Sequence, residues 1–228
     1  MEKLKFAYKN EIIEMALEFV QFNNLQLFPH QILSKLEIQR YNSFMEDSNR
    51  ISYLLGRISG KQSYLKLIKK NNAKSIDIKD IEILNGIFGQ PFFTFDSKID
   101  ISITHTTDEG GSIVFDRKFP MGIDAEKIDD NNINLFNVVI NKQEIFNIDI
   151  SQEHLLTIIW CLKEALVKAT KLGFLIPLEL LNIETLVKTE KIFECTFKYF
   201  SQYKGVAKIK NNIVIALAYP AQLQIKSM

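Results

Sequence analysis

The chain has 228 residues, 46% hydrophobic and 24% charged, which describes a folded globular protein and excludes a disordered one. That length allows two compact halves of about 110 residues each. Its 28 basic and 27 acidic residues leave a formal charge of +1, which excludes a bulk electrostatic affinity for nucleic acid or an anionic membrane. Cys161 and Cys195 cannot build a disulfide framework, and both lie in apolar, regular stretches. They are expected as buried thiols of a reducing, cytoplasmic compartment. The N-terminal segment is interrupted by charges and has no signal-peptide core, and the apolar runs at 155–162 and 213–219 are too short to span a bilayer.

In chain order, residues 12–22 have helical apolar spacing, and 31–68 read as helix again, with Asn71 and Asn72 as its stop. A strand is predicted within 77–84, then a turn-rich stretch over 85–91. Residues 99–103 alternate strictly, with Ile99, Ile101 and Ile103 on one side of a strand. Further strands are predicted at 112–115 and 121–128. Asn141 with Glu144 three residues on resembles a helix start. Residues 151–172 form a strong helix closed by Gly173, and strands follow at 192–200, 205–210 and 213–219. A long helix followed by strands occurs twice, which suggests two similar α+β halves.

Four constellations could carry chemistry. In Gly122-Ile-Asp-Ala-Glu126 a strand puts Asp124 and Glu126 on one face. Two carboxylates 4 Å apart repel by about 4 kcal/mol at an effective dielectric near 20, and a hard divalent cation relieves that. The alternative is a solvated strand edge balanced by Lys127. Trp160, Glu164 and Lys168 form one helical stripe, which is either an ordinary helix pair or, with the acidic strand, part of a metal and phosphate site. His105, directly after the alternating strand, is a phosphate donor when protonated, or simply an exposed loop residue. Arg50, Arg57 and Lys61 fall within about 40° around a helix, as a phosphate-binding stripe or a solvated basic face. No glycine-rich Walker loop, nucleophile elbow or GxGxxG is present.

Together and in this order these pieces resemble the 4′-phosphopantetheinyl transferases, most closely the long, pseudo-dimeric type. The matching residues are Arg50-xx-Tyr53-xxx-Arg57-xxx-Lys61, Phe88-Gly-Gln-Pro91, Ile101-Ser-Ile-Thr-His105, Gly122-Ile-Asp-Ala-Glu126 and Trp160-xx-Lys163-Glu164-xxx-Lys168, with Gly173-xxx-Pro177 as the helix exit. The resemblance implies an α+β fold of two halves, 1–118 and 119–228, related by pseudo-two-fold symmetry. Each half would be a helix on a small antiparallel sheet, with coenzyme A in the cleft between them. It implies Mg²⁺, or Mn²⁺ in its stead, held by Asp124, Glu126 and Glu164. Arg50, Arg57, Phe88, Gly89, Gln90, Thr104, His105 and Lys168 would contact the coenzyme. Glu164 and Lys168 would be catalytic, Glu164 as general base and Lys168 stabilising charge. The implied reaction moves phosphopantetheine from coenzyme A to a serine of an apo acyl or peptidyl carrier protein, releasing adenosine 3′,5′-bisphosphate. Fatty-acid and secondary-metabolite carriers are both open, and a monomer suffices.

Departures from the family pattern are Gln90 where Lys is usual, Thr104 for Ser and Ala125 for a larger aliphatic; none removes a metal ligand. The connection over residues 129–149, with Phe136 and Phe146, could dock the carrier or pack on the core. The competing readings are a non-catalytic coenzyme- or carrier-binding homologue and a different Mg²⁺-dependent phosphoryl-transfer enzyme.

Overall fold

The computed structural model describes residues 3–9, 11–22, 28–68, 76–129, 140, 144 and 146–227. The chain divides into two compact units, residues 1–120 with 223–228, and residues 121–222.

The first unit starts with a hairpin, β1 (Lys3–Tyr8) and β2 (Glu11–Gln21). Residues 12–22 are therefore strand and not helix. Ile12, Met15, Ala16 and Phe19 have helical spacing, while Ile13, Met15, Leu17 and Phe19 alternate as a strand does. Pairing on both edges, with β1 and with residues 109–114, decides for the strand. The predicted long helix over 31–68 is three: α1 (Pro29–Ile32), α2 (Lys35–Ser43) and α3 (Asp47–Ile68). Ser34 breaks the run as a reciprocal cap, its hydroxyl accepting from Glu37 N while the Glu37 side chain accepts from Ser34 N. The expected stop at Asn71 and Asn72 lies outside the described residues. Within 77–84 the chain makes a 3₁₀ turn (Ile78–Asp80) before the short β3 (Ile83–Asn85), which pairs with β4 (Pro91–Phe93). β5 (Ile99–His105) and β6 (Glu109–Asp116) complete the unit with β12 (Gln224–Ser227), in a five-stranded antiparallel sheet of order β12-β1-β2-β6-β5. α3 packs on this sheet and buries Leu55 and Ile58 on one side and Tyr64 on another.

The second unit runs β7 (Gly122–Lys127), α4 (Gln152–Thr170), β8 (Ile183–Thr189), β9 (Ile192–Phe197), β10 (Tyr203–Lys210) and β11 (Ile213–Pro220), with sheet order β7-β11-β10-β9-β8. α4 packs its apolar face, with Ile158, Leu162 and Leu166, on that sheet. The helix ends at Lys171, whose φ of 59° is left-handed, two residues before the expected Gly173. Both cysteines are buried and free.

The two units share one element order, strand–helix–four strands: β2-α3-β3-β4-β5-β6 and β7-α4-β8-β9-β10-β11. They also share a buried clasp. Lys61 Nζ donates to Glu37 Oε2 at 2.6 Å, and Glu37 Oε1 accepts from Ile83 N at the start of β3. Lys163 Nζ donates to Glu144 Oε2 at 2.5 Å, and Glu144 Oε1 accepts from Ile183 N at the start of β8. In each unit the carboxylate ties a helix to the first strand after it. Further along each helix comes a second pair with the preceding strand: Lys66 with Glu18, and Lys168 with Asp124.

Candidate active site

In the second unit, β7 and α4 hold the acidic cluster. A Cβ at Gly122 would stand 2.0 Å from Ala165 O and 2.5 Å from Ala169 N, so only glycine lets the strand lie this close to the helix. Asp124 and Glu126 follow on the same face at alternate positions. Asp124 is buried at 4% exposure and accepts from Lys168 Nζ at 2.7 Å. The Cys161 thiol bonds to Asp124, and burial with the charges of Asp124 and Glu126 holds it well above the usual thiol range. Glu126 is bonded to the Trp160 side chain, whose indole N–H can only donate. A solvated strand edge is thereby excluded.

Burial first, and the charge of Asp124 second, push Glu126 up to about 7. Glu164 is likewise pushed up to about 7 by burial, then by Asp124, with Glu126 adding to the effect and Lys168 opposing it. The three acids thus lie within electrostatic reach of one another beside one ammonium. Among the described residues, however, no three histidine, cysteine, aspartate or glutamate side chains are gathered as a metal-holding group. The three carboxylates expected to hold one ion are coupled to one another through their charges. The donor chemistry suits such an ion, since all three acids offer oxygen to a hard dication, and Glu126 and Glu164 resist ionising beside the charge of Asp124. Lys163, inside the same motif, is buried in the clasp with Glu144.

The corresponding positions of the first unit keep one acid and one base, Glu18 and Lys66. Two residues beyond Glu18 stands Val20, and one beyond Lys61 stands Gln62, so the other two carboxylates have no counterpart there.

The first unit instead holds a cavity of about 840 Å³, lined among others by Arg40, Tyr53, Arg57, Asn85, Gly89 and His105. Of the predicted basic stripe only Arg57 reaches it. Lys61 is fully buried and spent on Glu37 and on Ile32 O at 2.7 Å, a correction whose cause is the carboxylate on α2. Arg50 turns to Asp47 at 3.0 Å and does not line the cavity. Gln90 folds back on its own loop, where Oε1 accepts from Phe88 N at 3.1 Å; neither it nor the half-exposed Phe88 lines the cavity. Thr104 is buried at 2% exposure and is also not a lining residue, whereas Gly89 and His105 are.

Arg40 and Asn85 were not signalled by the sequence. Arg40 closes a short helix whose break at Phe44 no periodicity announces, and its guanidinium lies over the Phe44 ring at 4.8 Å. The Tyr53–Arg57 pairing was legible as an i, i+4 step on α3, and the guanidinium lies 4.3 Å from the ring centre.

In the connection over 129–149, Phe136 lies outside the described residues, while Ile140 and Phe146 pack against the core of the second unit. Core packing is the outcome for that pair. Among the described residues no helix is long and apolar enough to cross a membrane.

Residues 120–218 match the family described as the 4′-phosphopantetheinyl transferase superfamily. The chain is 33% identical over 90 residues to a holo-[acyl-carrier-protein] synthase of Lactococcus lactis, covering 38% of this chain and 76% of the relative. It is 29% identical over 105 residues to the holo-[acyl-carrier-protein] synthase of Staphylococcus carnosus, covering 46% of this chain and 90% of that one. A solved holo-(acyl-carrier-protein) synthase of Bacillus anthracis in complex with CoA (3′,5′-ADP) superposes with a TM-score of 0.39 at 18% identity, over 50% of this chain and 96% of that one.

Proposed function

The chain belongs to the 4′-phosphopantetheinyl transferase superfamily and is an enzyme of that class, and from that premise we propose that it transfers phosphopantetheine from coenzyme A to a serine of an apo acyl or peptidyl carrier protein. The observation that carries the proposal is the cluster of Asp124, Glu126 and Glu164, mutually repelling and partly neutralised by Lys168. A site built this way has chemistry for a cation and a diphosphate.

In this reading Asp124, Glu126 and Glu164 would hold Mg²⁺, which when bound supplies Lewis-acid polarisation of the diphosphate. Lys168, whose ammonium donates to Asp124, would stabilise charge on a phosphoryl oxygen. The serine Oγ forms a bond to the phosphorus on the pantetheine side, the bond to the nucleotide phosphate breaks, and the serine proton passes to a base. Glu164 is the proposed base, a role that competes with ligation for its one carboxylate. Adenosine 3′,5′-bisphosphate leaves.

Arg57, Gly89 and His105, which line the cavity of the first unit, are proposed for the nucleotide end, where an arginine fork matches phosphate oxygens. Arg50, Phe88, Gln90 and Thr104 are weaker candidates, since none lines it. The long two-unit type acting as a monomer is part of the proposal, supported by the repeated element order. One coenzyme served by both units rests on the resemblance alone. A cytoplasmic location is part of the proposal, supported by two buried free thiols.

The test is mass spectrometry of apo carrier proteins incubated with the enzyme, coenzyme A and Mg²⁺. The expected result is the mass gain of one phosphopantetheine, lost in Asp124→Ala. Trp160, the sole tryptophan, gives a second readout: Mg²⁺ alone should change its emission in the wild type and not in that variant. Carriers that gain no mass, or an Asp124→Ala enzyme that still turns over, would overturn the assignment.

A further inference from the structure

At the rim of the first-unit cavity, Arg57 is held on three sides. Its face lies on Tyr53, Glu37 Oε1 stands 3.6 Å from Nε, and Nη2 donates to Asn85 Oδ1 at 2.5 Å. Asn85 in turn donates from Nδ2 to Gly89 O at 2.6 Å. The loop it grips is closed by its own bonds. Gly86 N donates to Gln90 O, Gly89 N to Gly86 O, and Phe88 N to Gln90 Oε1, with Gly89 at a φ of 81° that favours glycine. The loop is thus a preformed body, and the Asn85 amide bonds it to the guanidinium.

The charges are equally specific. Glu37 is buried at 0% exposure, and its negative charge is matched by Lys61 at 2.6 Å. Asn85 contributes none. Glu37 thus stands between two cations, Lys61 and Arg57, and the trio keeps one positive charge for whatever enters, while the buried Arg57 Nε makes no hydrogen bond among the described residues. Arg57 itself is 3% exposed, so a fixed guanidinium faces the cavity at low dielectric.

We propose that Asn85 is a positioning residue for anion recognition in this cavity, joining Arg57 to the loop of residues 86–90 so that guanidinium and loop meet a phosphate-bearing ligand as one preset surface. The inference rests on the functional reading above and deepens it by naming what sets the geometry of its nucleotide end. A neutral amide is essential to it. An aspartate could still accept from Arg57, but it would cancel the charge the ligand needs and could not donate to Gly89 O.

The test compares Asn85→Asp and Asn85→Ala with the wild type in calorimetric binding of adenosine 3′,5′-bisphosphate, alongside thermal melts. The aspartate variant should lose about tenfold or more in affinity and the alanine variant less. Stability should follow the other order, because aspartate keeps a bond to Arg57 that alanine lacks. The Michaelis constant for coenzyme A should rise by more than kcat falls in both. Affinities that merely track stability, or that equal the wild type's, overturn the inference and leave the functional reading intact. A wild-type protein that binds no adenosine 3′,5′-bisphosphate sinks both.

Discussion

Glu126 and Glu164 are carboxylates that resist ionising. Burial raises each from 4.5 to about 7, with Asp124 as the next cause. A carboxyl whose folded value lies above its unfolded value binds its proton more tightly when folded. It stabilises fully below about pH 4.5, and that contribution is lost as pH rises through about 7. The metal-free protein should therefore melt at a lower temperature near pH 8 than near pH 5. Glu126→Gln and Glu164→Gln should each flatten the dependence, because a glutamine keeps the shape without the titration. Thermal melts in chelator across that range check it, and variants with the wild-type slope would remove the electrostatic cluster from the account. The cluster's members were legible in the sequence, since strand alternation and helical spacing fix which side chains share a face. The fate of Lys61 was not. It shares a helix stripe with Arg57, yet its ammonium is consumed by Glu37. Nothing in local spacing names a partner on another helix.

Position on an element depends on how closely elements pack, and at β7 that rests on one missing side chain. Gly122→Ala would push a methyl group to 2.0 Å from Ala165 O, where the obstacle is helix backbone that cannot rotate away. The strand and α4 must separate, at a cost of about 1–3 kcal/mol by analogy with overpacked cores. The Lys168–Asp124 bond at 2.7 Å should lengthen with them. Chemical denaturation should show the stability loss, and transfer activity should fall further than the stability loss explains. A variant as stable and active as the wild type would show that the close approach positions nothing. Element boundaries were readable where the signal is local. Ser151 and Lys171 bracket α4 close to the predicted bounds, although the Ser151 side chain makes no cap bond and Lys171, not Gly173, ends the helix. β2 was misread because Glu11–Gln21 fits both periods, and its neighbours β1 and β6 settle it. α1, α2 and α3 merged into one predicted helix because Ser34 and Phe44 are weak breakers without their structural partners.

At the scale of the whole chain, the repeat of element order and the paired clasps mean that each unit carries its own helix-to-strand lock. What the sequence showed of this was a long helix followed by strands, twice. It did not show the clasps, because each joins residues on separate elements. It also did not show that the chain's last strand belongs to the first unit. β12 (Gln224–Ser227) pairs antiparallel with β1, Phe6 opposite Ile225 and Ala7 opposite Gln224, and Leu223 beside it is buried at 2% exposure. Short terminal strands carry too little pattern to be assigned from sequence. Deleting residues 223–228 leaves β1 as a bare sheet edge, with the backbone groups that faced β12 returned to solvent. Hydrogen exchange should then accelerate at the β1 amides and their β2 partners, while the amides of β9, β10 and β11 keep their protection. If β1 keeps its protection after the deletion, the strand is an ornament of the sheet. If β9, β10 and β11 lose theirs as well, the two units unfold as one cooperative body.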